Sequence, residues 1–385
     1  MSRLASRLQT LALAIANVPW RRAPSPERTP EKILVAHYLL LGDTLLLAPL
    51  LAKIALRYPE AEKFVLARPG VASLFSGNPY GFRVIPYAPK AIGALRRIRA
   101  HGPFDLAFVL GDNRYGWLAR AARARWIVAF ENDRPVWKNW MVDEFCRHPQ
   151  QPAAWADMAA AMLPGPPPPP YRPGDWPTPD ARLTPPSGDY ALLHVGASTR
   201  LKTWPAERWR ALADRLSSDR GLQPVWSAGQ GESSILDAIG LRNDELRFCG
   251  SLDLPQLWHL LKGARLLVCP DTGIAHLGKL VGTPTVALFG PGSPPIYSKG
   301  AFWRDALYCA LAEEPFPCRN QKRLFRREID WVRRCGRSPE ACAAASGYKQ
   351  YPLPPPCMQA IRLDAVYNAC RSLLDHSSFC SDRIP

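Results

Sequence analysis

The chain has 385 residues, enough for two domains of ordinary size. Its 47% hydrophobic and 21% charged residues are typical of a globular protein with an apolar core, which excludes a mainly disordered or fibrous chain. The formal charge of +16, from 49 Lys and Arg against 33 Asp and Glu, favours an anionic partner: nucleic acid, phospholipid or a phosphorylated substrate.

Residues 1–30 are predicted to form an N-terminal extension. Arg3 and Arg7 precede an apolar run, Leu11–Ala16, that is too short to cross a bilayer. We expect a basic amphipathic helix on a membrane surface or a frayed end. A signal peptide is the alternative, because Ala14 and Ala16 resemble a cleavage pair. No other segment of the sequence has the length and hydrophobicity of a membrane span.

In the first half of the chain, short apolar runs alternate with helical patterns. A turn at Gly42–Asp43 is followed by a helical pattern from Thr44 to Ile54, and Ala119–Ala124 is a second predicted helix. The predicted strands are 33–36, 64–67, 83–86, 106–110 and 126–130. Strands alternating with helices favour a parallel sheet with helices on both faces, so residues 31–162 are predicted to form one domain.

Pro166–Pro170 are five consecutive prolines in a proline-rich stretch, 163–188, which is predicted to be an extended linker. The alternation then restarts, so residues 189–357 are predicted to be a second doubly wound domain, with 358–385 as a final helix and tail. Its predicted strands are 190–195, 224–228, 265–269 and 285–289, and its helices are 205–216, 233–239, 254–262 and 274–280. Two such domains place a ligand at the carboxyl ends of their strands.

The stretch 309–357 is an insertion rich in cysteine and arginine. The sequence has ten cysteines, of which seven follow residue 308, and none forms a CxxC pair, so the signature of a zinc site is weak. The seven are Cys309, Cys318, Cys335, Cys342, Cys357, Cys370 and Cys380. No metal ligand is assigned, and disulfides, a metal or free thiols all remain open.

The segment Leu267–His276 carries the sharpest site pattern. A strand ends, Asp271, Thr272 and Gly273 form a turn, and a helix begins with His276 one turn inside it. Free N–H groups at the start of a helix, with the helix dipole behind them, bind phosphate. The segment therefore predicts a diphosphate site, although Asp271 alone would equally suit a helix cap.

A second segment, His194–Pro205, also leaves a strand. Ser198 and Thr199 can donate hydroxyl hydrogen bonds to a phosphate, and Lys202 supplies a positive charge for a leaving diphosphate. A single lysine after a strand is usually solvated. The small-residue loop before this lysine favours a second contact with the same diphosphate.

A third segment, Leu39–Thr44, follows the first strand. It is not a G-x-G-x-x-G fingerprint, which disfavours a dinucleotide oxidoreductase. Asp43 stands where a carboxylate could accept a proton from a substrate hydroxyl. Taken alone, an aspartate before a helix is more often a cap.

Together the three segments resemble glycosyltransferase family 9, the ADP-heptose:lipopolysaccharide heptosyltransferases. The matching stretches are ILVAHYLLLGDTLLLAPLL, LLHVGASTRLKTWPAERW and LVCPDTGIAHLGKLVGTPTVALFGP. The resemblance implies an α/β GT-B fold, with two Rossmann-like doubly wound domains facing a central cleft. It also implies an inverting transfer of heptose from ADP-heptose to the lipopolysaccharide inner core, with no metal or other cofactor.

The resemblance further implies roles for single residues. Asp43 would be the catalytic base, and Lys202 would stabilise the departing diphosphate. Glu232 would hold the ribose hydroxyls, and the adenine would lie near the backbone of Ser251 and Leu252. The other nucleotide-sugar ligands would be Ser198, Thr199, Asp271, Thr272, Gly273 and His276.

Three departures from the family bear on the acceptor. Leu39 and Leu40 stand where the family has a small polar pair, the N-terminal extension is not typical, and the insertion 309–357 is longer and richer in Cys and Arg than expected. The acceptor and the donor sugar therefore remain open, and the same fold acting on another nucleotide sugar or another acceptor is an alternative.

The resemblance places the protein in the cytoplasm of a Gram-negative cell, at the inner face of the inner membrane. Lys90, Arg96 and Arg97 are predicted to attract the phosphates of a lipid A-linked acceptor or of the anionic membrane. The sequence contains no RNP, KH, helix-turn-helix or finger motif, so no nucleic-acid partner is expected. A nucleic-acid-binding module and a catalytically silent glycan-binding homologue are the remaining alternatives.

Overall fold

The computed structural model describes residues 3–24, 29–345 and 354–381, with side chains described from Arg7 to His376 within those ranges. The predicted N-terminal extension, insertion and C-terminal tail lie partly outside the described residues. The chain divides into two compact units. The first runs to Pro169 and includes Asp175–Pro179 and Arg323–Trp331, and the second holds Pro170–Gly174, Asp180–Lys322 and Val332 onwards.

The first unit is built on a parallel six-stranded sheet with the order β3-β2-β1-β4-β5-β6. Its strands are β1 (Lys32–Ala36), β2 (Glu62–Ala67), β3 (Phe82–Pro86), β4 (Phe104–Val109), β5 (Ala124–Phe130) and β6 (Glu144–Cys146). Its helices are α1 (Arg3–Ala16), α2 (Leu41–Leu45), α3 (Ala48–Arg57), α4 (Pro69–Ala72), α5 (Ala94–Arg99), α6 (Tyr115–Ala121) and α7 (Trp155–Ala161). This is the strand order of a Rossmann fold, in which ligands bind where the order reverses, here between β1 and β4.

The second unit repeats this order, with a parallel sheet β12-β11-β10-β7-β8-β9. Its strands are β7 (Tyr190–His194), β8 (Gln223–Ala228), β9 (Leu246–Cys249), β10 (Leu266–Pro270), β11 (Thr285–Phe289) and β12 (Tyr308–Ala312). Its helices are α8 (Ala206–Arg220), α9 (Ser233–Ile239), α10 (Leu254–Gly263), α11 (Gly273–Val281), α12 (Pro294–Tyr297), α13 (Pro339–Ala345), α14 (Pro356–Gln359) and α15 (Leu363–Ser381). The strand order reverses between β10 and β7, which predicts the ligand crevice of this unit.

Several predicted helices differ from the structure. Gly42–Asp43 is not a turn but part of α2, and the predicted helix Thr44–Ile54 is interrupted between α2 and α3. The helix predicted at Ala119–Ala124 ends at Ala121, because Ala124 already pairs with Phe104 as the first residue of β5. The last helix is also two helices, α14 and α15, separated by Ala360–Arg362.

The proline-rich stretch 163–188 contains no helix or strand, yet parts of it pack firmly. Trp176 is buried in the first unit, where its indole N–H donates to the carbonyl of Leu74 at 2.8 Å. Tyr171 is buried in the second unit and donates to the carbonyl of Leu280 at 2.6 Å. The stretch is therefore anchored by aromatic side chains rather than free along its length.

The insertion contributes a hairpin to the first unit. Two short antiparallel strands, β13 (Arg323–Leu324) and β14 (Arg327–Glu328), lie within the stretch Arg323–Trp331. This stretch follows β12 of the second unit in sequence but packs on β4 and β5 through Arg327. No helix among the described residues is long and apolar enough to cross a membrane.

Candidate active site

The strand-order reversal of the second unit brings Lys202 and Asp271 together. Lys202 follows β7, Asp271 follows β10, and these two strands are neighbours in the sheet. The Lys202 Nζ lies 3.1 Å from Oδ2 of Asp271 and also donates to the Asp271 main-chain carbonyl. Both side chains are largely buried, so the ion pair fixes the lysine beside the start of α11.

Two buried polar atoms without a hydrogen-bond partner lie at the start of α11. They are Oγ1 of Thr272, the residue that precedes the helix, and Nδ1 of His276, one turn inside it. Burial, with smaller contributions from Lys279 and Lys202, lowers the pKa of His276 well below its usual value, so the imidazole is neutral. Because buried polar groups are normally paired, these atoms mark a place where a ligand would supply the partners.

Glu232 joins two loops at the carboxyl edge of this sheet. One of its carboxylate oxygens accepts from the Ala197 N–H at 3.0 Å, and the other accepts from the Gly229 N–H at 2.6 Å. A Cβ on Gly196 would lie 2.0 Å from Oε2 of Glu232, so only glycine lets the carboxylate approach this closely. The structure thus gives Glu232 a loop-positioning role that sequence reasoning missed.

The remaining donor-side residues lie on neighbouring loops. Ser198 is exposed, whereas the Thr199 hydroxyl caps the short 3₁₀ helix Arg200–Lys202 by accepting from the Leu201 N–H at 3.3 Å. Ser251 and Leu252 follow β9 and precede a capping box in which Asp253 and Gln256 begin α10. These loops leave the carboxyl ends of β7 and β9, on either side of β8.

In the first unit Asp43 lies half-buried in the first turn of α2, beyond the end of β1. The segment leading to it is held from two sides. His37 Nδ1 accepts from the Leu39 N–H at 3.2 Å, and Arg68 donates to the Leu39 carbonyl at 2.8 Å. Burial, followed by the charge of Arg68, lowers the pKa of His37 to about 3, so this imidazole is also neutral.

Lys90, Arg96 and Arg97 are exposed. Lys90 follows β3, the edge strand of the sheet, while Arg96 and Arg97 lie on α5. Their predicted contact with the acceptor stays a prediction.

His37, Arg68 and Arg327 are residues near the candidate site that sequence reasoning missed. The position of His37 directly after β1 and of Arg68 directly after β2 was a usable signal, because carboxyl ends of parallel strands carry site residues. Arg327 gave no such signal, since it is 214 positions from its partner Asn113.

The described cysteines of the insertion are not joined by disulfides. Nine of the ten cysteines have described side chains, and none of the nine is paired in a disulfide. Cys380 lies outside the described side chains. Among the described residues, no group of three or more His, Cys, Asp or Glu side chains is arranged to hold a metal ion.

Comparison with known proteins agrees with this geometry. Residues 106–327 match the profile of Glycosyltransferase family 9 (heptosyltransferase). The chain is 27% identical over 314 residues to lipopolysaccharide heptosyltransferase 1 of Pseudomonas aeruginosa, covering 74% of this chain and 85% of that protein.

Two solved structures have the same fold. The glycosyl transferase family 9 protein of Veillonella parvula superimposes with a TM-score of 0.66 at 19% identity, covering 90% of this chain and 98% of that one. The E. coli ADP-heptose lipopolysaccharide heptosyltransferase II gives a TM-score of 0.62 at 18% identity, with coverages of 90% and 99%.

Two Rossmann-like units define the GT-B fold, and the family profile identifies the chain as a glycosyltransferase of this fold. The chain belongs to glycosyltransferase family 9, the heptosyltransferase family.

Proposed function

We propose that the chain transfers a heptose from ADP-heptose to a sugar of the lipopolysaccharide inner core, with inversion at the anomeric carbon. The observation that carries the donor assignment is the Lys202–Asp271 pair beside the unpartnered Thr272 hydroxyl and His276 imidazole. A cation and a helix N-terminus at one place are what a sugar diphosphate requires. The Pseudomonas aeruginosa protein and the E. coli heptosyltransferase II are both named as lipopolysaccharide heptosyltransferases, which supports this acceptor class.

The donor would bind along the carboxyl edge of the second sheet. Its diphosphate would meet Lys202, the N–H groups at Thr272 and Gly273, and the hydroxyls of Ser198 and Thr199. Glu232 would hold the ribose while keeping its two loops together, and the adenine would lie over Ser251 and Leu252. His276 is neutral and would offer a hydrogen bond rather than a charge.

Asp43 would act as the general base. The acceptor hydroxyl gives its proton to the Asp43 carboxylate, and its oxygen forms a bond to the anomeric carbon. The bond from that carbon to the diphosphate breaks, and ADP leaves with the electron pair. Negative charge grows on the leaving phosphate, where Lys202 and the α11 N–H groups would stabilise it. The protein would thus supply the charge that a divalent metal supplies in other transferases.

The transfer is tested by incubating purified protein with heptose-free lipopolysaccharide and ADP-heptose, with GDP- and UDP-sugars offered in parallel. Mass spectrometry should show an acceptor heavier by one heptose when ADP-heptose is the donor, and no change with the GDP- or UDP-sugars. The reaction should not require added Mg²⁺ or Mn²⁺. Transfer from a GDP- or UDP-sugar instead would overturn the donor assignment. Heptose transfer to another glycan alone would overturn the acceptor.

The chain would also contact an anionic membrane surface. The inner side of α1 packs on α6, with Ala14 fully buried, and Asn17 donates to the Arg120 carbonyl at 3.0 Å. Its outer side exposes Leu8, Leu11 and Ile15, which share one face of the helix. An apolar helix face attached firmly to a folded unit suits insertion into a bilayer surface.

Aromatic and basic residues extend this face. Trp20, Trp137 and Trp140 are 63%, 43% and 62% exposed, and Arg21 donates to the Trp140 carbonyl at 2.8 Å, which joins the two segments. Arg7 and Arg22 are exposed beside them. Tryptophan at the headgroup level and arginine against anionic lipid are the usual anchors of such surfaces.

A further inference from the structure

The hairpin of the insertion has a strained turn. Its two strands pair Leu324 with Arg327, so the loop consists of only two residues, Phe325 and Arg326. Both have positive φ, 44° and 66°. A two-residue hairpin of this kind favours Asn-Gly, and a bulky residue in the left-handed region is strained. Such strain persists only where the surroundings enforce it, and it concentrates at binding and catalytic sites.

Arg327, the residue after the turn, holds the hairpin in place through buried hydrogen bonds. Its side chain is 2% exposed and donates to the Gly111 carbonyl at 2.7 Å, the Glu131 carbonyl at 2.9 Å and Oδ1 of Asn113 at 2.6 Å. Oδ2 of the fully buried Asp133 lies 3.7 Å from the same guanidinium. Gly111 and Asn113 follow β4, and Glu131 and Asp133 follow β5. The hairpin is therefore fastened to the carboxyl edge of the first sheet.

Phe325 places the turn at the strand-order reversal. Its ring centroid is 4.6 Å from that of Trp155. A Cβ on Gly111 would lie 3.7 Å from Cδ1 of Phe325 and 2.6 Å from Cδ2 of Leu39. Phe325 and Leu39 thus flank the same glycine, which has φ +80°. The turn lies beside the segment that leads from β1 to Asp43.

We propose that Arg326 is an acceptor-binding residue that recognises an anionic group of the acceptor, a phosphate or a carboxylate. It is exposed, in contrast to the buried Arg327 next to it, and it stands at the tip of the strained turn. A guanidinium binds either anion through two parallel hydrogen bonds. The proposal rests on the proposed function, since it takes the first unit to hold the acceptor.

The composition of the neighbouring segment agrees with this role. Leu39 is buried and Leu40 is 55% exposed, and neither side chain can hydrogen-bond a sugar or an anion. The insertion would supply a polar contact at this edge of the sheet by a different route along the chain.

The test compares Arg326→Ala, Arg326→Lys and the double change Phe325→Asn with Arg326→Gly. The double change removes the guanidinium and relieves the turn, so it separates binding from folding. Arg323→Ala is the matched control, because Arg323 is an exposed arginine of the same hairpin. The probe is deacylated, heptose-free lipopolysaccharide, titrated by calorimetry into the full-length protein without donor.

We expect the affinity for this probe to fall about 10- to 100-fold in Arg326→Ala and in the double variant, with partial retention in Arg326→Lys. The melting temperature of the double variant should equal or exceed that of the wild type. Affinity for ADP and the behaviour of Arg323→Ala should be unchanged. A chemically dephosphorylated probe identifies the anion: loss of the Arg326 dependence assigns a phosphate, and its persistence assigns a carboxylate.

If Arg326→Ala binds the probe with wild-type affinity while the wild-type protein transfers heptose, the proposed role of Arg326 is wrong and the proposed transfer stands. If binding of the probe depends on Arg326 but the wild-type protein transfers no heptose, the proposed transfer is wrong and the role of Arg326 stands.

Discussion

The Lys202 ammonium lies 3.1 Å from the Asp271 carboxylate across 69 positions of sequence. Two motifs that are weak individually are therefore parts of one site. The contact depends on the parallel pairing of β7 with β10, which brings the ends of the two strands side by side. Asp271 holds the lysine, and the lysine remains 19% exposed.

Lys202→Ala should lower the transfer rate about 100- to 1,000-fold, because it removes the positive charge that stabilises the leaving diphosphate. Donor affinity should fall less. The measurement is steady-state ADP release at several donor concentrations. Lys262→Ala, an exposed lysine at the end of α10, is the matched control and should behave as the wild type. A Lys202→Ala enzyme with more than a tenth of the normal rate would contradict the role.

Gly196→Ala should damage the donor site without touching a proposed ligand. The added methyl would lie 2.0 Å from Oε2 of Glu232 and would push that carboxylate off the Ala197 and Gly229 amides. We expect ADP affinity to fall about 10-fold or more, as with loss of a charge-assisted hydrogen bond. Gly221→Ala, in the turn that ends α8, controls for general loss of stability. Equal ADP affinity in Gly196→Ala and wild type, by calorimetry, would show that Glu232 is not needed.

Acidification should destabilise the protein through its buried histidines. Burial lowers the pKa of His37 to about 3 and that of His194 to about 4, so both stay neutral in the folded chain, whereas the unfolded chain binds protons below about pH 6.5. The unfolding free energy should therefore fall as the pH drops from about 6.5 to about 4, by up to about 1.4 kcal/mol per pH unit for each histidine. Urea titrations at several pH values measure this slope.

His194→Gln should make the unfolding free energy less dependent on pH, by about the contribution of one histidine. The substitution also disturbs the hydrogen bond between His194 Nδ1 and the Ser227 hydroxyl at 2.9 Å, so a lower stability at pH 7.5 is expected as well. Only the pH dependence tests the protonation argument, and an unchanged slope would refute it.

Membrane binding should depend on the exposed face of α1 and the tryptophans beside it. The double variant Trp20→Ser, Trp140→Ser is expected to lower the partition onto phosphatidylglycerol-rich vesicles at least 10-fold. Each indole buried in the bilayer surface contributes more than about 1.5 kcal/mol to the binding free energy. Co-sedimentation with phosphatidylglycerol and with purely zwitterionic vesicles measures the partition. Trp126→Ser, a half-buried tryptophan of β5, is the control. Equal partition of wild type and double variant would exclude this face as the membrane contact.

The sequence predicted the fold well, because the alternation of apolar strands and helices follows directly from burial on both faces of a parallel sheet. It placed all four strands predicted in the second half, where Leu266–Pro270 and Thr285–Phe289 are uniformly buried. It missed β6, β9 and β12, edge strands whose residues are mostly exposed or only partly buried. The sequence also did not indicate the interruption between α2 and α3, because leucines continue through it.

The candidate site residues of the second unit were easier to locate than those of the first for a physical reason. Asp271 follows β10 directly and Lys202 lies in the loop that leaves β7, so both could be located from strand ends. The hairpin around Arg327 joins the first unit through contacts with Gly111 and Asn113, more than 200 positions away, and no local pattern indicates them. Its strained turn at Phe325–Arg326 contradicts local propensity and was visible only in the fold.

The proposed deprotonation of the acceptor by Asp43 is tested by one paired measurement. Wild type and Asp43→Asn are compared for heptose addition to heptose-free lipopolysaccharide by mass spectrometry and for ADP-heptose affinity by calorimetry. We expect a rate lower by about 100- to 10,000-fold in Asp43→Asn with donor affinity unchanged. A near-normal rate in Asp43→Asn would contradict it.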